Sequence, residues 1–272
     1  MSCDILVIGG GPAGLSAALN ARARGRSVLV VSNPPEENPL WRAGQVDNYP
    51  GLPGVSGQEM LLAMRRQAEE AGAEFLAGRA LSALFMMGSW FISVGPDMYS
   101  AKAVVLAAGV ARGKKFPGEA EFLGRGVSYC ATCDGMMYRN RPVAVIGLRE
   151  DAPEEAEFLR SIGCQVEYFD RSRARDYRIL GEQKVTGLAA DGTEYPVDGV
   201  FILRPGVAPD MLLPGLETDR GTIVTDREMR TNIPGVFAAG DCTGAPYPIA
   251  KSVGEGNLAA LSAVKYLYSK KE

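Results

Sequence analysis

Apolar residues gather along this chain in short unbroken runs, and several of those runs stop at glycine. The first is Asp4-Ile5-Leu6-Val7-Ile8. Wholly apolar after a polar start, it predicts a strand buried on both faces, as at the centre of a parallel sheet. Gly9-Gly10-Gly11-Pro12-Ala13-Gly14 follows, and Leu15, Ala18, Leu19 and Arg22 then recur at helical spacing until Gly25, a helix stop. The next strand is predicted over residues 27–31. Residues 58–72 predict an amphipathic helix with Leu61, Met64, Ala68 and Ala71 on one face. Residues 73–110 alternate between short strands and turns and end in the buried run Ala103-Val104-Val105-Leu106-Ala107-Ala108-Gly109. Taken alone, that run is plain core.

The same order of elements returns in the middle of the chain. Arg141-Pro142-Val143-Ala144-Val145-Ile146-Gly147 predicts a strand, Ala152, Ala156, Leu159 and Gly163 mark the inner stripe of a helix, and residues 165–169 give the next strand. Only the short interval 179–197 separates this unit from a further strand at 199–203, where a full dinucleotide domain would hold more strands. Near the end, Pro234-Gly235-Val236-Phe237-Ala238-Ala239-Gly240-Asp241 is a strand closing on Gly-Asp, and residues 254–265 predict a helix with Leu258, Leu261 and Val264 on one face. The pattern is that of an α/β protein with two βαβ units.

Composition narrows the classes. A chain of 272 residues with 46% hydrophobic content can build one large core or two modest ones. A formal net charge of −3 with 22% charged residues gives no reason to expect nucleic acid or an anionic membrane as partner. No apolar run approaches the ~18 residues of a membrane span, and the first residues enter a strand with no basic segment or cleavage-type region. Five cysteines in this length are not a secreted disulfide framework. A soluble cytoplasmic protein is expected.

Two motifs carry chemistry. Gly9-Gly10-Gly11-Pro12-Ala13-Gly14 fits G-x-G-x-x-G in the required order of strand, turn, helix and strand. Gly9 permits the tight turn, Gly11 lets backbone approach a pyrophosphate, and Gly14 allows close helix–strand packing, while the helix N-terminus supplies amides and a positive dipole end. The acid that usually ends the second strand is missing. Ser32 and Asn33 stand there, and Glu36 and Glu37 come only further on. The second motif is Cys130-Ala131-Thr132-Cys133-Asp134-Gly135. A Cys-x-x-Cys pair is either a redox dithiol or half of a zinc site. The chain has no histidine, and Cys3, Cys164 and Cys242 are scattered singly, so a second half-site is not apparent.

The turn of the second βαβ unit has lost the glycine pattern: Gly147-Leu148-Arg149-Glu150-Asp151-Ala152 stands in its place. Arg149 brings bulk where a pyrophosphate needs bare backbone. Glu150, Asp151, Glu154 and Glu155 place negative charge at the same helix start, where it suits the dipole but repels a phosphate. Asp170 ends the next strand, with Arg171, Arg173 and Arg175 beside it as a solvated face or a docking patch for an acidic protein. This unit is expected to keep the scaffold without binding a nicotinamide nucleotide.

Together with Asp47-Asn48-Tyr49-Pro50-Gly51, these motifs occur in the order seen in bacterial low-molecular-weight thioredoxin reductases, which the chain resembles over nearly its whole length. The resemblance implies two Rossmann-like, three-layer ββα/α domains and a homodimer. A discontinuous FAD domain (residues 1–114 and 226–272) would carry an inserted, shortened NADPH-domain-like disulfide domain (115–225). It implies that Cys133 faces the flavin, Cys130 attacks the disulfide of thioredoxin and Asp134 serves as acid and base. FAD would be held by Gly9, Gly11, Pro12, Ala13, Gly14, Ser32, Asn33, Leu40, Asn48, Ala108, Gly109, Gly240, Asp241, Ile249 and Ala250. The departures also matter. The His-Arg-Arg stretch of the NADPH-dependent enzymes appears as Asp170-Arg171-Ser172, and their Arg-Gln pair before the last helix appears as Pro248-Ile249. The combination resembles the ferredoxin-linked, pyridine-nucleotide-independent branch, which makes ferredoxin the expected donor. The alternatives are a dithiol oxidase passing electrons to oxygen, a diflavin enzyme with Arg149 or Arg171 near the second flavin's phosphates, an NADPH-dependent thioredoxin reductase with an atypical nucleotide site, and a non-catalytic flavin-binding protein.

Overall fold

The computed structural model describes residues 2–109, 115–204 and 209–270. These divide into two compact units, one formed by 2–109 with 209–270 and the other by 115–204.

The first unit begins with β1 (Ser2–Ile8), α1 (Pro12–Arg22), β2 (Val28–Ser32), α2 (Gly57–Glu70), β3 (Glu74–Ala77), β4 (Ala80–Met86), β5 (Ser89–Val94) and β6 (Asp97–Leu106). Its sheet runs β3-β2-β1-β6-β5-β4. Strands β3, β2, β1 and β6 are parallel, whereas β5 and β4 join antiparallel at the first half of β6. Ile5, Val7, Val28, Val30, Ala103 and Val105 turn one face of the parallel strands into a core shared with helices. Each of the fully buried Ile and Val side chains among them contributes about 1.5–3 kcal/mol. Helix α2 starts on a capping box, with Ser56 and Glu59 each hydrogen-bonding the other's backbone N–H. Those bonds hold the exposed Glu59 carboxyl below its ordinary range.

The second unit holds β7 (Val127–Ser128), α3 (Ala131–Asp134), β8 (Pro142–Gly147), α4 (Ala152–Ser161), β9 (Gln165–Phe169), β10 (Tyr177–Gly181), β11 (Val185–Ala190), β12 (Thr193–Pro196) and β13 (Gly199–Leu203). A parallel sheet in the order β7-β13-β8-β9 is packed on both faces. Val143, Val145, Phe201 and Leu203 meet Ala131 of α3 and Ala156 and Leu159 of α4. Ala144, Ile146, Val200 and Ile202 meet the antiparallel meander β10-β11-β12. The interval 179–197, which showed no clear element in the sequence, is therefore the third layer of this unit.

Four elements follow that belong to the first unit, α5 (Pro209–Leu212), β14 (Thr218–Asp219), β15 (Thr222–Ile223) and β16 (Val236–Ala238), and the chain ends in α6 (Ile249–Ser269). The expected return at 226 comes earlier, because α5 packs on β4 and β15 packs on the turn at Asp241–Thr243. Strand β16 adds to the second half of β6, in parallel. Helix α6 is longer than the expected 254–265, running through Gly254 and Gly256. Gly256 is required where it stands: a Cβ there would overlap the carbonyl oxygen of Ala13, so the glycine is what lets α6 lie close on α1.

Candidate active site

In the first unit, the turn after β1 is built as a cradle for a group that needs bare backbone. A Cβ at Gly9 would overlap the Ala107 carbonyl oxygen, and one at Gly14 would overlap the Gly9 carbonyl oxygen. Gly9 also adopts φ +116°, a conformation that favours glycine. Helix α1 opens with Pro12 at its first position and Gly11 as N-cap, with no side chain bonding its first N–H groups. Those amides stay available to an anion, which is the geometry a pyrophosphate uses. This cradle fits a dinucleotide such as FAD.

Other predicted residues cluster around this turn. Ser32 lies against Gly10, its side chain 2.8 Å from where a Cβ there would be. Asn33 donates from Nδ2 to Oε2 of Glu37 at 2.8 Å, so an acid does return to the end of β2. In the sequence it stands five residues past Ser32, inside the Pro-rich loop, and it is folding of that loop that brings it back to Asn33. Asn38 was not anticipated: its Nδ2 lies 3.0 Å from the position a Cβ of Gly11 would take, and its Oδ1 accepts the Leu40 N–H at 3.0 Å. Leu40 itself packs against the first core. Ala108 and Gly109 follow β6, Gly109 at φ +69°. Asn48 is exposed in its turn.

The Gly-Asp motif arrives beside the same helix. A Cβ at Gly240 would sit 2.8 Å from the Cβ of Ala13. Asp241 accepts a hydrogen bond from the Ser252 hydroxyl at 3.1 Å, and the Gly240 N–H donates to Glu255 at 2.8 Å. Lys251 donates to the carbonyls of Gly240 and Gly244 at 3.0 and 2.7 Å, and also pairs with Glu255 at 3.3 Å. Lys251 and Glu255 thus pin the loop; nothing in the sequence marked them, Lys251 because the helix was expected to start after it and Glu255 because its partner, the Gly240 N–H, is fifteen residues away. Ile249 and Ala250 open that helix, whose N-cap is Pro248.

In the second unit, Cys130 and Cys133 are joined as a disulfide, their Cα atoms 5.3 Å apart. Cys130 is the N-cap of α3: its Sγ accepts the Cys133 N–H at 3.1 Å and lies 3.3 Å from the Thr132 hydroxyl. Cys130 is buried and Cys133 is exposed. The Ser128 hydroxyl donates to Asp134 Oδ2 at 2.6 Å and accepts the Cys130 N–H at 3.1 Å, joining the acid to the main chain of the cysteine. Ser128 sits two residues before the motif with no sequence signal of its own. Burial and the charge of Asp134 push the Tyr138 phenol up from its ordinary value. Burial also raises the remaining thiols, Cys3 to about 11, Cys242 to about 12, and Cys164 upward. Burial of this kind disfavours the thiolate, the reactive form of cysteine, at those three positions. Among the described residues no group of three or more His, Cys, Asp or Glu side chains is placed to hold a metal ion.

The degenerate loop after β8 is closed by side chains. Arg149 bonds Asp151 at 2.6 Å and also pairs with Glu155, so these acids are compensated rather than left to repel an anion. A Cβ at Gly147 would overlap the Tyr168 hydroxyl, which covers that glycine. Asp170 accepts from the Ser172 hydroxyl and from the Ser172 and Arg173 N–H groups, and these bonds lower its pKa. Arg173 is held by Glu167 at 2.7 Å and lies 4.4 Å over the Phe169 ring, while Arg171 and Arg175 are exposed.

Comparison with known proteins agrees with this arrangement. The family described as pyridine nucleotide-disulphide oxidoreductase matches residues 3–179 and 171–256. The thioredoxin reductase of Aquifex aeolicus is 36% identical over 306 residues, covering 99% of this chain and 94% of that protein. A ferredoxin-flavin thioredoxin reductase from Clostridium acetobutylicum superposes with a TM-score of 0.89 at 37% identity, covering 100% of this chain and 99% of the other. A thioredoxin reductase from Gloeobacter violaceus gives 0.80 at 31% identity, with 100% and 96% covered. In the described residues no helix is long and apolar enough to cross a membrane. The chain therefore belongs to the pyridine nucleotide-disulphide oxidoreductase family, as an FAD-binding oxidoreductase of its thioredoxin reductase group.

Proposed function

We propose that this protein reduces the disulfide of thioredoxin with electrons from reduced ferredoxin. The observation that carries the choice of donor is the loop after β8, where Arg149, Asp151 and Glu155 are spent on one another and Tyr168 covers Gly147. A nicotinamide pyrophosphate has no bare backbone to approach there. Likeness to a protein described as a ferredoxin-flavin thioredoxin reductase supports the same choice.

Gly9, Gly11 and Gly14 with the α1 amides would take the pyrophosphate of FAD, and Glu37, Asn33 and Asp241 are the polar groups at hand for its hydroxyls. Bound FAD supplies the conversion between single-electron delivery and two-electron reduction of the disulfide. Two electrons and two protons open the Cys130–Cys133 bond. The Cys130 thiolate then attacks a sulfur of the thioredoxin disulfide, forming a mixed disulfide and releasing one partner thiolate. Cys133 resolves it, restoring the Cys130–Cys133 bond and releasing the second partner thiol. Asp134, held by Ser128, is placed to take and return the protons at the dithiol. Because Cys130 is the buried member of the pair, this assignment requires that Cys130 be uncovered before attack. In the same reading the working form is a cytoplasmic homodimer.

The test is to mix the purified flavoprotein with NADPH and, separately, with reduced ferredoxin. Flavin bleaching and thioredoxin reduction are expected with ferredoxin only. Rapid bleaching by micromolar NADPH would overturn the choice of donor, and hydrogen peroxide formed from a small dithiol without thioredoxin reduction would point to an oxidase instead.

A further inference from the structure

Arg149 stands where a nucleotide loop would present glycine, yet its side chain is only 7% exposed and its Nε is buried without a hydrogen-bond partner. A guanidinium held that way is expensive unless its charge is answered. Asp151 and Glu155 answer it. Glu155 has a second engagement: its Oε2 accepts the N–H of Ala131 at 2.9 Å. Ala131 follows Cys130 directly. Two contacts thus lead from the lost phosphate loop to the dithiol, Arg149 to Glu155 and Glu155 to Ala131.

Helix α3 spans only Ala131–Asp134 and is too short to hold its own shape. Support comes from α4, where Gly135 packs under Leu159 and Glu155 grips the main chain. A bare carboxylate one residue from Cys130 would disfavour the thiolate that forms there on reduction. Its pairing with Arg149 removes most of that penalty.

We propose that Arg149 and Glu155 are positioning residues for the dithiol. Glu155 fixes the backbone at Ala131, and Arg149 cancels the charge that this carboxylate places beside the Cys130 sulfur. The remnant of the nucleotide loop thereby sets the balance between disulfide and dithiol. The inference rests on the redox role of the Cys pair but not on ferredoxin as donor.

The test equilibrates the full-length flavoprotein with glutathione buffers in mildly alkaline solution, where thiolate forms. Two glutathione thiols reduce the Cys130–Cys133 bond and leave as glutathione disulfide, and the dithiol fraction is read by alkylation and mass. Arg149→Met uncovers Glu155 and should shift the equilibrium about threefold towards the disulfide, the effect of one unit charge at this range in a nearly aqueous dielectric. That corresponds to about 14 mV. Glu155→Gln adds one positive charge to the balance and should shift it the other way, while Arg149→Lys should restore the wild-type value. Merely loosened packing would move Arg149→Met and Glu155→Gln in the same direction, and that result overturns the proposal, as does the absence of any shift. If Arg149→Met does not fold, the opposed shift of Glu155→Gln and the unchanged value of Arg149→Lys decide alone. Should the wild-type pair fail to exchange with glutathione at all, the redox role itself falls, and this inference with it.

Discussion

At the scale of single residues, the two sulfurs of the disulfide are not equivalent, and the difference can be tested by removing one at a time. Cys133→Ser leaves Cys130 to attack without a resolving partner and should accumulate a mixed disulfide with thioredoxin, visible on non-reducing gels. Cys130→Ser should accumulate little. The reverse pattern would exchange the roles, as the greater exposure of Cys133 would then suggest. A second residue-scale prediction concerns Glu119, which is fully buried. Its carboxylate is gripped by Arg204 and accepts the Tyr129 hydroxyl at 3.0 Å and the Phe116 N–H at 2.8 Å. Glu119→Ala removes the carboxylate that answers the buried Arg204 guanidinium and should cost about 3–5 kcal/mol, read from denaturant midpoints. Glu119→Gln should cost less, since it keeps an acceptor.

At the scale of elements, the close packing of α6 on α1 hangs on Gly256. Gly256→Val forces a side chain into the Ala13 carbonyl and should destabilise by about 1–3 kcal/mol or more, lowering the melting temperature by several degrees. Because α1 carries the glycine turn, the same variant should release FAD at lower temperature than the wild type, which flavin fluorescence follows directly. These glycines also show where sequence and structure part. Both glycine turns, the Cys pair, β1, β8, β9 and β13 were legible because each is a local pattern: a run, a spacing, a stop. Gly254 looked like the boundary of a helix and is its interior, with open space around it, whereas the reason for the glycine at 256 lies on another element, at the Ala13 carbonyl. Asn38, Lys251 and Glu255 were invisible because each meets backbone brought near only by folding, whereas Ser128 acts locally but belongs to no recognisable motif. The meander β10-β11-β12 was missed because its strands are short and its partners are one another. The acids after β8 illustrate the limit in reverse: their number suggested repulsion, yet two of the four, Asp151 and Glu155, are paired with Arg149.

At the scale of the molecule, two unlike sites are carried by two separately packed units, each with its own sheet and core. In the function proposed above, electrons enter through FAD held by the first unit, while disulfide exchange belongs to the second. A variant that restores glycine at position 149 should therefore leave FAD content unchanged. It should not by itself confer NADPH reduction, because Tyr168 still covers Gly147 and Asp151 and Glu155 lose their counter-charge. Stopped-flow absorbance with NADPH checks this, and flavin bleaching by NADPH in Arg149→Gly would show that Arg149 alone had closed the loop.

The pairing of β16 with β6 has a consequence in time. Strand β6 is synthesised early and pairs with β1 on one side, but its second half gains a neighbour on the other side only when residues 236–238 have been made, and α1 waits longer still for α6. The whole second unit emerges in between and can settle first, as domains generally fold as units during synthesis. Until α6 leaves the ribosome, the early strands and α1 carry uncovered apolar surface, and it is the synthesis of residues 236–269 that completes the cradle proposed for FAD.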